Sequence, residues 1–199
     1  MQRLILTYGL IAGVVVGIQL FLIATLLRDN PPTGPLGMAI GYLTMLIALS
    51  AVFVAIKRRR DHDLGGAIRF WPAFGLGVAI SAIAGVLYVL TWELVLVVNG
   101  PGYVEQMMAV EVERQRMAGV TAPELAALQA QMDQFRAIYA NPLIRLPITL
   151  SEILPIGLLV SLISAALLRN PRFMPLRRED SNQQDTISLA ADRDSAGGQ

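Results

Sequence analysis

Two carboxylates stand alone inside long apolar runs of this sequence: Glu93 in Phe70–Val98 and Glu152 in Leu146–Leu168. Each lies near the same end of its run, five residues before Val98 and six after Leu146. If both runs are helices, a rise of about 1.5 Å per residue puts both groups ~8–9 Å below one membrane boundary. An ionised carboxylate at that depth costs about 2.5 kcal/mol or more unless it is paired, hydrated or protonated. Two acids at one level, if adjacent, oppose each other's ionisation. Three arrangements follow: a shared-proton pair, a proton or cation site, or two separate groups reaching a hydrated outer cavity. Tyr88, Thr91, Thr149 and Ser151 offer hydroxyl partners, and Arg28 or Arg145 offers a counter-charge. Pro155 removes a backbone donor just beyond Glu152. The plainer alternative is that hydroxyls, water and an arginine satisfy both acids with no further role.

Other constellations are poorer. Asp61-His62-Asp63 lines up three metal-ligating types at consecutive positions, but neighbours in sequence do not converge readily on one ion, so no metal site is expected. His62 is the single histidine and there are no cysteines. That removes thiolate chemistry, disulfides and histidine arrays. No phosphate-cradling loop, nucleophile elbow or H-E-x-x-H helix is present. The expectation is therefore no catalytic residue, no cofactor, no nucleic-acid partner and no enzyme.

The elements that hold the two acids are four apolar runs: Leu4–Leu27, Leu36–Ile56, Phe70–Val98 and Leu146–Leu168. Each reaches the roughly 20 residues that cross a hydrocarbon core of ~30 Å. With 54% apolar and 16% charged residues, the composition is that of a polytopic membrane protein. Cations give the orientation. Lys57, Arg58, Arg59, Arg60 and Arg69 lie between the second and third runs, and five arginines follow the fourth. With Arg3 they outnumber Arg28, Arg114, Arg116, Arg136 and Arg145, so both termini are expected in the cytoplasm. The first run exceeds a signal-peptide core and lacks a small-x-small cleavage site, which predicts an uncleaved span. The Lys57–Arg60 cluster reads as a topology anchor, with anionic lipid binding as the alternative.

Between the third and fourth runs, Gly100-Pro101-Gly102 and Asn141-Pro142 bracket the one substantial extramembrane segment. A helical hairpin is expected over 102–140, outside the cytoplasm. Its second helix starts at the capping box Thr121-Ala122-Pro123-Glu124 and carries a stripe of Leu125, Leu128, Met132, Phe135 and Tyr139. Val104, Met107, Met108 and Val112 form a weaker stripe upstream. These stripes either pack on each other and the membrane face, or dock a partner. The segment 171–199 is expected to be a cytoplasmic tail, disordered from Glu179 onward.

Small residues recur at four-residue spacing: Gly9, Gly13 and Gly17 in the first run, Gly37 and Gly41 in the second, and Gly157, Ser161 and Ala165 in the fourth. Such ridges let helix backbones approach closely in lipid. They serve either packing within one bundle or a homodimer seam.

The stretches Arg3–Gly13, Gly41–Arg58, Leu87–Glu93 and Ser151–Ala165 resemble the bacterial membrane family catalogued as domain of unknown function 4199, over roughly Arg3 to Arg169. The resemblance implies a four-helix bacterial inner-membrane protein and carries over no catalytic residue. The fold expected is an all-α four-helix transmembrane bundle with an extracytoplasmic helical hairpin. The leading functional expectation is a non-enzymatic accessory or assembly component, whose partners are the bilayer and either a second copy or another membrane protein. Its rival is a small cation- or proton-coupled carrier using Glu93 and Glu152, working as an oligomer.

Overall fold

The computed structural model describes residues 1–28 and 34–175. The expected disordered stretch from Glu179, and most of the turn after the first span, lie outside the described residues. Six α-helices follow one another: α1 Gln2–Leu26, α2 Gly34–Arg58, α3 Phe70–Asn99, α4 Tyr103–Met117, α5 Ala122–Tyr139 and α6 Pro142–Leu168. No strand occurs among the described residues. Helices α1, α3 and α6, and α2 together with a π-helical turn at Arg59–Asp63, are long and apolar enough to cross a membrane.

These four form a bundle in which α3 lies between α1 and α6, and α2 closes the other side against α1 and α6. Each small-residue ridge faces a defined neighbour. A Cβ added at Gly9 would sit 2.7 Å from Ile83 Cβ, one at Gly13 2.7 Å from Leu87 Cβ, and one at Gly17 2.6 Å from Thr91 Oγ1. Equal steps of four along both helices mean that α1 and α3 run parallel. Against α6 the sense reverses. A Cβ at Gly77 would meet Ser161 Oγ at 2.7 Å, and one at Gly157 would meet Ser81 Cβ at 2.7 Å. Ser161 donates to the Gly157 carbonyl at 2.6 Å within this contact. Close backbone approach supplies the dispersion contacts that must hold helices together where lipid gives no hydrophobic drive.

The outward faces are as apolar as the core. Leu10, Ile18, Leu43, Ile47, Leu90 and Ile163 are all exposed, far beyond the isolated apolar side chains of a water-soluble surface. Helices apolar all round belong in hydrocarbon.

Two boundaries differ from the sequence expectation. Helix α6 begins at Pro142, four residues before the apolar run. Asn141 caps it, its Oδ1 accepting the Leu143 N–H at 3.0 Å, and Pro142 occupies the first turn where a missing N–H does no harm. Arg145 is thereby a helical residue of α6. The chain beyond α6 also stays with the bundle as far as it is described. Buried Arg60 donates from Nη1 to the Phe173 carbonyl at 2.8 Å and from Nη2 to the Met174 carbonyl at 2.6 Å. Its Nε binds Asp61 at 2.7 Å, and Lys57 binds the same carboxylate at 2.6 Å. Two of the four cations in the anchor cluster are therefore engaged within the protein. The Phe173 ring packs edge-on against Phe53 at 6.5 Å.

Candidate functional site

Helices α4 and α5 pack against each other, and α5 also meets α6. Gly100 and Gly102, both at positive φ, let the chain turn from α3 into α4. Tyr103 at the start of α4 is buried with Ala24 and Val95, and its ring lies 6.3 Å from that of Trp92. Arg136 of α5 reaches Glu105 of α4 at 3.0 Å. At the α5 start, the Glu124 carboxylate accepts from the Thr121 N–H at 3.1 Å and from its hydroxyl at 2.7 Å. The capping box forms as its sequence implies.

The two apolar stripes of α4 and α5 do not close on one another along their length. Together with the adjoining ends of α2, α3 and α6 they wall a cavity of about 720 Å³. Met107 and Met108 line it from α4, Met132 and Phe135 from α5, and Met38 from α2. Four of the eight methionines in the chain thus meet one space; methionine is the side chain that best adapts to an irregular apolar shape. Glu152, Thr149, Tyr88 and Tyr139 supply polar groups to its wall, with Glu111 and Gln131 from α4 and α5.

The structure distributes the expected site residues unequally. Tyr88 donates to Glu152 Oε2 at 2.9 Å, and the Thr149 and Tyr139 hydroxyls lie 3.3 Å apart. Glu93 belongs to a different arrangement. Arg145 grips it with both prongs, Nε to Oε1 at 2.7 Å and Nη2 to Oε2 at 2.5 Å. Arg145 also lies 5.9 Å over the Tyr139 ring, a cation–π contact. On α6, Arg145 precedes Glu152 by seven residues, about 10 Å along the axis. The equal depth expected for the two acids rested on starting the fourth span at Leu146; α6 starts at Pro142, so Glu152 stands ten residues into its helix and Glu93 six residues before the end of its own. They share no hydrogen-bond partner.

Two hydroxyls expected at the acids are elsewhere. Thr91 donates to the Leu87 carbonyl of its own helix at 2.9 Å and stands against Gly17 of α1. Ser151 donates to the Ile148 carbonyl at 2.6 Å and is exposed. In both cases a short hydroxyl finds the carbonyl one turn back before it can reach across helices. Among the packing residues, Gly9, Gly13 and Gly17 are covered by α3 of the same chain and offer no free seam. Gly41 has no packing partner among the described residues: beyond its chain neighbours and its own helix backbone, none of their atoms lies within 4 Å of where its Cβ would be. Gly37 lines the cavity. Sequence reasoning passed over the complementary ridge Gly77, Ser81 and Gly85 on α3, although its four-residue spacing was visible. It also passed over Tyr139 and Trp92 as site residues. Their part depends on α4 and α5 folding back over the bundle, which no local pattern announces.

Glu152 and Glu93 thus differ in electrostatic situation. Glu93 has its guanidinium. Glu152 is exposed, lines the cavity, and has no cation within salt-bridge distance among the described residues. The other cavity carboxylate, Glu111, is bound by Arg114 and by Gln115, the latter at 2.9 Å, and the Arg114 bonds hold it below the ordinary glutamate range. The Trp92 indole N–H is buried and without a hydrogen-bond partner among the described residues. The arrangement can bind: an apolar vault with one unneutralised carboxylate.

An all-helical bundle with four apolar spans and lipid-type outer faces defines a multi-pass membrane protein. Residues 7–170 match the family described as Protein of unknown function (DUF4199), and the chain belongs to that family. No curated protein and no solved structure matches it.

Proposed function

We propose that this protein is a non-enzymatic accessory component of the bacterial inner membrane that binds a small amphiphile, with a cationic head and an apolar body, in the cavity under α4 and α5. Both termini face the cytoplasm in this reading, so the cavity opens on the outer side, as the excess of cations at the α2–α3 connection and after α6 favours. The observation that carries the proposal is the cavity itself: about 720 Å³ of largely apolar, methionine-rich wall ending at a carboxylate with no cation beside it. That volume falls in the range of small-molecule sites, with few polar groups fixing orientation. The single histidine, His62, sits in the Arg59–Asp63 turn and lines no part of the cavity. The carrier reading draws no support from the two acids, because Arg145 occupies Glu93.

Trp92 provides the test. In a Trp71→Phe background it is the sole tryptophan, and it lines the cavity. With the protein in lipid nanodiscs, a bromodecyl trimethylammonium should quench its emission saturably. Glu152→Gln preserves shape and removes charge, and should weaken this binding about tenfold or more, as loss of a charged partner of ~1.4 kcal/mol or more requires. Non-saturable quenching, or equal binding by Glu152→Gln, would refute the proposal.

A further inference from the structure

We infer that the amphiphile carries an unbranched apolar chain, which leaves the cavity beside Gly37 and lies between α1 and α2 along Gly41. The inference rests on the binding reading above and specifies its ligand class. A second cavity, of about 160 Å³, lies between α1 and α2, walled by Val16, Leu20 and Ile23 on one side and by Ile40 and Met45 on the other. Gly37 and Tyr88 line both cavities. Position 37 has no side chain to part them, and Tyr88 is the residue whose hydroxyl is bound to Glu152. A path therefore runs from the carboxylate past Tyr88 into an apolar slot.

Gly41 shapes that slot by what it leaves empty. The α1 glycines are filled by Ile83, Leu87 and Thr91, whereas among the described residues no atom of another helix comes within 4 Å of a Cβ at Gly41. The Gly37–Gly41 spacing has the form of a packing ridge, and Gly41 the behaviour of a gap. A dry apolar cavity near 150 Å³ takes about six carbons, so the slot has room for about six methylenes at the end of a chain. Charge complementarity fixes the direction. Glu152 holds the cationic head in the larger cavity and the chain end enters the smaller one, because Gln19 is the slot's only hydrogen-bonding side chain apart from Tyr88.

The test is competition by hexyl, octyl, decyl and dodecyl trimethylammonium against the bromodecyl probe, in wild type and in Gly41→Leu. Wild type should bind the longer chains progressively better. Leucine at position 41 occupies the slot, and should lower affinity for dodecyl by about tenfold, given the burial lost with several methylenes, while hexyl binding stays within about twofold. Ile40→Phe, which narrows the slot from the same helix, should act in the same direction, and far-UV circular dichroism checks that each variant is folded. An unchanged dependence on chain length in both variants overturns the inference and leaves the binding reading standing. Failure of every member of the series to bind wild type overturns the binding reading itself.

Discussion

Removing Arg145 should damage this protein more than removing the acid it holds. The Arg145 side chain is 15% exposed and that of Glu93 29%, between a buried and a surface pair. Breaking a buried pair by deleting one member costs about 3–5 kcal/mol, and exposed pairs are worth about 0.2–1 kcal/mol. The two-pronged geometry at 2.7 and 2.5 Å and the partial burial of both side chains place it midway, so Arg145→Met should destabilise by about 2–3 kcal/mol. Glu93→Gln should cost less, about 1 kcal/mol, because Arg145 keeps the Tyr139 ring beneath it. The double variant should be less destabilised than the two singles combined, with a coupling of about 2 kcal/mol. Unfolding in mixed detergent micelles, followed by Trp92 emission in the Trp71→Phe background, gives all four corners of the cycle. Single-variant losses that add to within about 0.5 kcal/mol would refute the pairing.

Four further outcomes are expected. Gly13→Val, forced against Leu87, should lower stability by about 1–3 kcal/mol, whereas Gly41→Ala, with open space around it, should be neutral or stabilising by a few tenths of a kcal/mol; thermal unfolding of the purified protein separates them. Arg60→Ala should lose the hold on the Phe173 and Met174 carbonyls and destabilise by about 3 kcal/mol, read as faster proteolysis after Asn170. The hydrogen bonds from Thr121 hold Glu124 below its ordinary value of about 4.5, so the start of α5 gains stability that is full above that value and is lost as pH falls through the lowered one. Amide protection factors near Thr121, exchange rates divided into the intrinsic rate at each pH, should fall in acid, and Glu124→Gln should flatten that response. A cysteine-free sequence also permits clean topology mapping: Gln131→Cys should react with an impermeant thiol reagent in spheroplasts, and Ala67→Cys should react only after lysis.

The spans were legible because length and uninterrupted apolarity are sufficient conditions for crossing a bilayer, and Thr121-Ala122-Pro123-Glu124 was legible because a cap is written in four adjacent residues. The acids were found for the same reason: a charge in hydrocarbon stands out one residue at a time. Their partners, Tyr88 and Arg145, were among the candidates, but which candidate reached which acid was not legible, because that is a matter of register. The start of α6 at Pro142 moved Arg145 into a helix and aimed it at Glu93. Thr91, at a spacing that allowed it to serve Glu93, turned out to serve its own backbone. The four-residue glycine pattern was ambiguous in kind. In α1 it marks contact and in α2 vacancy, a difference set by the residues opposite, which belong to other segments of the chain.

Arg60 also bears on the order of events during synthesis. Its carbonyl partners lie more than a hundred residues downstream, beyond the last span. Until residues 173 and 174 have been made, that guanidinium has Asp61 beside it but neither carbonyl. The chain must pass Met174 before Nη1 and Nη2 can reach the two backbone carbonyls. A chain cut before Phe173 therefore leaves Arg60, buried in the finished bundle, without two of its three hydrogen-bond partners.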